Sequence, residues 1–234
     1  DILRKIPSNS EINFNLKSEN KLSLKTHNSD FNLLCLPSSN FPTFEDNFQS
    51  EVIEIEKKNF LSLLNKTKIS ISNDDTRHYL NGVYLHGTQS NKNSFLTGVA
   101  TDSHRLSSSS IVVKDIENFP SIILPRKTVL LLSTLLNDLE DNIRIQTSEN
   151  KIKLSIGKIN LISKVIDGKF PDYQKVVPKD NTHTLVVESG DFINSVERVA
   201  SVSLDRKEGV KLELSKDKLK LSVNSTNSGD GNEV

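Results

Sequence analysis

The stretch NFPTFED at residues 40–46 recurs as KFPDYQK at residues 169–175. Phe41 and Phe170 lie 129 positions apart. Three further pairs keep nearly the same distance: Lys21 with Lys151 in KLSLK and KIKLS, Gly82 with Gly209, and Phe60 with Phe192. A period near 130 residues is the size of a domain and is too long for a solenoid repeat. The spacing predicts a folding unit copied in tandem, with chance similarity among Lys- and Ile-rich strands as the alternative.

The limits of the copies follow from what comes after each phrase. SEVIEIEKKNFLSLLNK (50–66) follows the first phrase and TLVVESGDFINSVERV (184–199) follows the second, and both predict a strand and then a helix. A unit boundary is therefore expected shortly after each phrase. We predict the second half of one unit in residues 1–48, a complete unit in 49–180 and the first half of a third unit in 181–234.

The hydrophobic pattern predicts an α+β fold with antiparallel sheets. Apolar residues alternate in EVIEIE (51–56), NIRIQTS (142–148), KIKLSIG (151–157) and KLKLSV (218–223), as they do in half-buried strands. Helical spacing occurs in three stretches: residues 57–68, residues 125–140 opening at Pro125, and residues 190–203. The complete unit thus contains two helices and several strands.

Composition narrows the class of protein. The 234 residues are 35% hydrophobic and 26% charged, with 30 basic and 30 acidic side chains, which excludes a highly charged disordered chain and an apolar membrane protein. There is no apolar run of about 20 residues and no secretion signal. A single cysteine, Cys35, favours a reducing cytoplasm. The absence of methionine suggests a piece of a longer protein.

The stretch GVATDSHRLS (98–107) concentrates the groups that could be catalytic. On a strand, Asp102 and His104 would share a face while Ser103 points away, which is wrong for a triad. The sequence also lacks a Gly-x-Ser-x-Gly elbow and a histidine pair at metal-ligand spacing. We therefore expect no enzyme, no metal and no cofactor.

Two other interpretations of this stretch stay open. It can be a loop in which Asp102 and the serines satisfy backbone donors. It can also be a recognition surface, on which His104 and Arg105 present donors beside the apolar Leu80 and Leu106 to capture a peptide.

Basic residues on the helical stretches offer a possible phosphate surface, although such residues are usually just solvated. They are the lysines of residues 57–68, Arg126 and Lys127, and Arg198, Arg206 and Lys207. If equivalent helices of successive units line one surface, these charges would hold a phosphate backbone without reading bases.

Four phrases carry a resemblance to a known family. DDTRHYLNGVYLH (74–86), GVATDSHRLS (98–107), ILPRKTVLLL (123–132) and VIDGKFPDYQKVVPK (165–179) resemble the bacterial sliding clamps, the beta subunits of DNA polymerase III, in order and spacing. The resemblance covers the whole chain and is looser after residue 197. It implies tandem clamp domains, with helices on the inner face and sheets outside, in a ring of two head-to-tail protomers.

The resemblance also implies a non-catalytic processivity factor in the cytoplasm. Its partners are double-stranded DNA, bound without regard to sequence, the polymerase alpha subunit, the clamp loader and other proteins with clamp-binding motifs. The implied peptide pocket is Leu80, Thr101, Ser103, His104, Arg105, Leu106, Pro171, Lys175 and Val176. The implied DNA contacts are Asp74, Arg77, His78, Tyr79, Arg126 and Lys127. The implied dimer interface joins Phe31 and Leu33 to Ser201 and Val202.

Some residues depart from the family pattern. Ser103 stands where glycine is usual and could narrow the cleft, and Lys175 stands where arginine is common and loses its planar fork. Asp74 would repel phosphate. We expect this chain alone not to close a ring. The alternative function is a repeated β-rich module that binds peptide or glycan without any ring.

Overall fold

Helices separate groups of antiparallel strands along the chain. The computed structural model describes every residue except 42, 44–47, 49, 91–92, 115, 139 and 204–207, so most of NFPTFED, together with Arg206 and Lys207, lies outside the described residues. The helices are α1 (Ile2–Lys5), α2 (Lys57–Thr67), α3 (Arg126–Asp138) and α4 (Ser189–Ala200). The strands are β1 (Asn13–Ser18), β2 (Lys21–Lys25), β3 (Asp30–Leu34), β4 (Ile53–Ile55), β5 (Gly82–Ser90), β6 (Asn93–Thr101), β7 (Leu106–Val112), β8 (Ile122–Pro125), β9 (Ile143–Thr147), β10 (Lys151–Ile156), β11 (Ile159–Lys164), β12 (Lys211–Ser215), β13 (Lys218–Ser225) and β14 (Gly229–Glu233).

The chain divides into two compact units, a first unit of Asp1–Pro171 and a second unit of Asp172–Val234. The strands form four sheets, ordered β1-β2-β3, β11-β10-β9-β4, β7-β6-β5-β8 and β12-β13-β14. Each pairing described within these sheets is antiparallel. The predicted α+β class is therefore confirmed, while the domain boundaries at residues 48 and 180 stay predictions.

One hydrophobic core joins the two four-stranded sheets of the first unit to α2 and α3. Phe60, Leu63 and Leu64 of α2 are fully buried in it, as the helical spacing predicted. Ile143 and Ile145 of β9 contribute from the alternating strand. Burying such a side chain stabilises the fold by about 1.5–3 kcal/mol, so this core fixes the sheet that carries GVATDSHRLS.

Helix α3 begins one residue later than predicted. Pro125 is the last residue of β8, where it pairs with Gly82, and α3 begins at Arg126. Because Pro125 pairs within the sheet, it ends β8 and does not begin the helix. The backbone N–H of Arg126 donates to the carbonyl oxygen of Asn81 at 2.9 Å.

The connectivity of the sheets agrees with a repeated unit. The antiparallel meander β1-β2-β3 has the same order as β9-β10-β11. In the second unit α4 precedes the meander β12-β13-β14, just as α2 precedes β5-β6-β7. Val199 of α4 is buried with Leu221 and Val223 of β13, and Phe192 and Val196 pack against them.

The strand predicted within TLVVE is wrong. Residues 181–188 have no strand structure, and the side chain of Val186 is 88% exposed. In the first unit the equivalent strand β4 pairs with β9, its one strand partner in the described part of the chain. Among the described residues no strand pairs with residues 184–188, so the apolar pattern alone does not produce a strand there.

Among the described residues, no helix combines the length and apolarity that crossing a bilayer requires.

Candidate functional site

The stretch GVATDSHRLS forms the tip of a β-hairpin. Strands β6 and β7 pair as far as Thr101 and Leu106, and residues 102–105 make the hairpin turn between them. The hydroxyl of Thr101 donates to the carbonyl oxygen of Arg105 at 2.7 Å and closes the turn. The side chains of Ser103, His104 and Arg105 are exposed. The turn therefore presents three polar side chains to solvent.

The carboxylate of Asp102 holds the turn together. One of its oxygens accepts the backbone N–H groups of His104 and Arg105, both at 3.0 Å, and the other accepts Nε of Arg105 at 3.1 Å. Burial opposes ionisation, but these donors outweigh it and lower the pKa of Asp102. The interpretation of Asp102 as a backbone-satisfying loop residue is confirmed. Because both of its oxygens face donors other than the His104 imidazole, Asp102 does not orient a catalytic histidine.

Ser103 occupies an unusual backbone conformation. Its φ is +76°, in the left-handed region that glycine adopts readily and other L-residues rarely do. Its backbone N–H donates to the hydroxyl of Thr101 at 3.1 Å. Serine in place of the expected glycine at position 103 thus affects the backbone conformation as well as the width of a cleft.

A second Asp-x-x-Arg turn lies against the first. Asp74 caps the 3₁₀ turn Asp75–Leu80 by accepting the N–H and the hydroxyl of Thr76 at 2.9 and 2.6 Å. These two bonds, followed by that from Arg77, lower the pKa of Asp74. Nε of Arg77 donates to Asp74 at 2.9 Å, and its Nη1 donates to the hydroxyl of Ser103 at 2.6 Å. The guanidinium of Arg77 therefore bridges the two turns.

Further contacts place the predicted apolar pocket residues near these turns. Leu80 ends the 3₁₀ turn and is 2% exposed, whereas Leu106 begins β7 and is half-buried. The hydroxyls of Ser70 and Ser107 lie 2.6 Å apart and connect the segment before the 3₁₀ turn to β7. The sequence did not predict this pair, because only the tertiary fold brings the two serines together.

The KFPDYQK phrase is anchored by an aromatic stack. Phe170 lies parallel to Tyr84 with ring centroids 4.8 Å apart, and Tyr84 stacks in turn on His86. Burial lowers the pKa of His86. Gly168, with φ of +143°, approaches the 3₁₀ turn so closely that an added Cβ would lie 3.2 Å from Cβ of Tyr79. The stack and this close approach fix the chain just before Pro171, which is exposed.

Two predicted pocket residues belong to the second unit. Lys175 ends the 3₁₀ turn Tyr173–Lys175, and its Nζ pairs with Asp172 at 3.0 Å. The side chain of Val176 is 69% exposed. Their places in a pocket with residues of the first unit stay predictions.

The residues predicted to contact DNA lie on the 3₁₀ turn and at the start of α3. His78 donates from Nε2 to the carbonyl oxygen of Asp167 at 3.2 Å, and its ring meets that of Tyr79 edge to face. Arg126 is half-buried and Lys127 is exposed. Asp74 and Arg77 pair with each other. These facts give Asp74 an intramolecular role that the sequence did not suggest.

The predicted interface residues occupy one strand and one helix end. Phe31 and Leu33 are half-buried on β3 while Asp30, Asn32 and Leu34 are exposed, so the first two share a face. Ser201 is the C-cap of α4 and is exposed. Val202 packs on β14, where a Cβ added to Gly231 would lie 2.7 Å from its Cγ2. No contact with another protomer bears on these residues, so the interface stays a prediction.

Cavity size does not identify the pocket. A cavity of about 820 Å³ in the first unit is lined by residues such as Tyr84, Glu149 and Lys164, and by none of the predicted peptide-binding residues. The candidate site is defined instead by its polar contacts and by the exposed hairpin turn.

Antiparallel meanders recur along the chain, and an exposed hairpin turn lies beside a capped 3₁₀ turn. These features agree with the tandem clamp domains that the sequence resemblance implied. Comparison with known proteins agrees. The family profile for the central domain of the DNA polymerase III beta subunit matches residues 54–172, and the profile for its C-terminal domain matches residues 174–234. The chain belongs to this family, the bacterial beta sliding clamps.

Individual relatives give the same result. The beta sliding clamp of Caulobacter vibrioides NA1000 is 32% identical over 231 residues, which are 98% of this chain and 62% of that protein. The clamp of Rickettsia felis is 36% identical over 239 residues, which cover 100% of this chain and 62% of that protein. The chain thus spans less than two thirds of the length of these relatives.

Solved structures show the same fold. A Caulobacter crescentus beta sliding clamp crystallised with polyethylene glycol superimposes with a TM-score of 0.91 at 32% identity, covering 99% of this chain and 62% of that one. A Bartonella birtlesii sliding clamp bound to griselimycin gives a TM-score of 0.89 at 36% identity, with 99% and 62% covered.

Proposed function

We propose that this chain is part of a sliding clamp that encircles duplex DNA and tethers a replicative DNA polymerase, together with other proteins, through a peptide pocket. Membership of the beta-subunit family supports the clamp role. The role is that of a non-catalytic accessory subunit of the polymerase, working in the cytoplasm. The parent protein pairs head to tail into a ring, with Phe31 and Leu33 of one protomer facing Ser201 and Val202 of the other.

The observation that carries the pocket proposal is the exposed hairpin turn, which Asp102 holds together. The 63%-exposed side chain of Arg105 is fixed at Nε by Asp102. Its remaining N–H groups are directed to solvent or to a ligand, and a guanidinium is well suited to bind peptide carbonyl and carboxylate oxygens. The half-buried Leu106 supplies apolar surface for a hydrophobic anchor of a peptide, and the buried Leu80 is assigned to the same pocket. Thr101, Ser103, His104 and Pro171 are assigned to this side as well, and the roles of Lys175 and Val176 in peptide binding stay sequence-based predictions.

The DNA role rests on few contacts. We assign phosphate contact to His78, Tyr79, Arg126 and Lys127, since Asp74 and Arg77 pair with each other. Each phosphate neutralised adds about 0.9 to the salt slope on duplex DNA. A small slope suits a protein that slides, because a closed ring is retained by its topology.

The test is a titration of this chain with a fluorescent peptide that carries glutamine and a Leu/Phe pair. We expect saturable binding that weakens at least about fivefold in Arg105→Ala, because a hydrogen bond from a charged donor contributes about 1 kcal/mol or more. Arg144→Ala, on the exposed side of β9, is the matched control and should bind like the unaltered chain. Absence of binding, or equal binding by Arg105→Ala, would favour a β-rich module with another ligand.

A further inference from the structure

Ser103 is held in a conformation that its residue type does not favour. Three non-glycine residues in the described part of the chain have positive φ: Asn9, Ser103 and Asp217. Asparagine and aspartate tolerate this region because their short polar side chains bond to the nearby backbone. Serine is the one residue of the three that does not favour this region. An interaction of its side chain must therefore offset the free-energy cost of the left-handed backbone conformation.

The hydroxyl of Ser103 supplies that interaction. It accepts Nη1 of Arg77 at 2.6 Å, and arginine can only donate. The same guanidinium is anchored at Nε by Asp74, whose other oxygen caps the 3₁₀ turn through Thr76. A continuous chain of charge-assisted bonds therefore runs from the cap of the 3₁₀ turn to the tip of the hairpin.

This chain of bonds joins the two segments that carry the proposed pocket. Leu80 lies at the end of the 3₁₀ turn, and Arg105 lies two residues after Ser103. Without Arg77, the hairpin turn would be held only by its own contacts through Asp102 and Thr101. A glycine at position 103 would relax the backbone and would remove the acceptor at the same time.

We propose that Ser103 is a positioning residue of the peptide pocket, which holds the hairpin turn against the 3₁₀ turn through Arg77. This inference rests on the proposed function. It assigns Arg77 to the support of the pocket. It also explains why serine suits position 103: its hydroxyl sets the distance between the 3₁₀ turn and the hairpin turn before the peptide binds. Preorganisation of this kind increases affinity by reducing the entropy lost on binding.

Variants at one position separate the hydroxyl from the backbone. Ser103→Ala keeps the unfavourable backbone and removes the acceptor, whereas Ser103→Gly relaxes the backbone and also removes the acceptor. Ser103→Asn restores an acceptor and is itself tolerated at positive φ. We expect peptide affinity to fall about three- to tenfold in the alanine and glycine variants and to return to within about twofold of the unaltered chain in Ser103→Asn.

A double-mutant cycle tests the partner. Arg77→Ala should weaken the peptide by a similar factor, and Ser103→Ala with Arg77→Ala should be no weaker than the worse single variant. Asp217→Gly, a positive-φ residue in the turn between β12 and β13, is the matched control and should not change affinity. The inference would be overturned if the fold-loss of peptide affinity in the double variant equalled the product of the two single losses. It would also be overturned if affinity were unchanged in both Ser103→Ala and Ser103→Gly.

Hydrogen exchange distinguishes failure of the inference about Ser103 and Arg77 from failure of the proposed peptide-binding function. Amides of residues 101–106 should exchange faster in Ser103→Ala than in the unaltered chain and should regain protection in Ser103→Asn. Unchanged exchange overturns the support through Arg77. If the unaltered chain fails to bind the peptide although these exchange differences are found, the proposed function is overturned and the role in a pocket is lost with it.

Discussion

Replacing Gly98 with alanine should destabilise the first unit, because β6 and α2 pack too closely there for a methyl group. An added Cβ would lie 2.5 Å from Cδ2 of Leu63 and 3.4 Å from Cγ1 of Val83. Both side chains are fully buried, so Leu63 cannot swing into solvent. Overpacking of this kind costs about 1–3 kcal/mol. Since β6 leads directly into the hairpin turn, the glycine of GVATDSHRLS serves the packing beneath the site.

The cause of this loss of stability is tested by truncating Leu63, the side chain that the added methyl group would contact. Leu63→Ala alone should cost about 2–5 kcal/mol because it leaves a cavity. The methyl group of Gly98→Ala would then enter the vacated space, so the double variant should be destabilised by less than the sum of the single variants, by about 1 kcal/mol or more. Urea unfolding followed by circular dichroism measures all three.

The matched control for this series is Gly209→Ala, where an added Cβ meets nothing within 4 Å. Its free energy of unfolding should change by less than about 0.5 kcal/mol. Additive costs in the double variant, or a Gly98→Ala chain as stable as the unaltered one, would refute the close packing of β6 on α2.

Two further predictions concern the charged groups. Asp102→Asn should cost about 1 kcal/mol at pH 7. Because the folded state lowers the pKa of Asp102, its carboxylate stabilises above the unfolded pKa of about 3.9 and loses that effect as pH falls through the folded pKa. The gap between the unfolding free energies of the variant and the unaltered chain should thus shrink as the pH falls below the unfolded pKa and through the folded pKa of Asp102, and a constant gap would contradict this. Lys127→Ala should lower the slope of the logarithm of duplex affinity against the logarithm of salt concentration by about 0.9, as measured by fluorescence anisotropy. The control is Lys25→Ala, which changes a lysine that pairs with Asp30 and should leave this slope unchanged.

Local patterns predicted most of the secondary structure. Helical spacing identified the buried face of α2, and alternation identified β9, β10 and β13, because one face of each element packs on a core. TLVVE shows the limit of alternation. A strand also needs a partner, and the pairing of β4 with β9 depends on residues far apart in sequence.

The candidate site was only partly predictable. The composition of GVATDSHRLS drew attention to the segment that forms the exposed hairpin turn, and the pattern of Asp102 with the following residues indicated a backbone-satisfying turn. The bridge from Arg77 to Ser103 spans 26 positions and depends on the fold. Ser103, where the family resemblance led us to expect glycine, did carry a signal, but the sequence could not show that this position has a positive φ.

Hydrogen exchange of this chain with and without the clamp-binding peptide tests the central claim most directly. We predict that the peptide slows exchange in residues 75–80 and 101–106, where the capped 3₁₀ turn meets the hairpin turn, and leaves the sheet β1-β2-β3 unchanged. Slowed exchange confined to other segments, or none at saturating peptide, would contradict the assignment of the pocket.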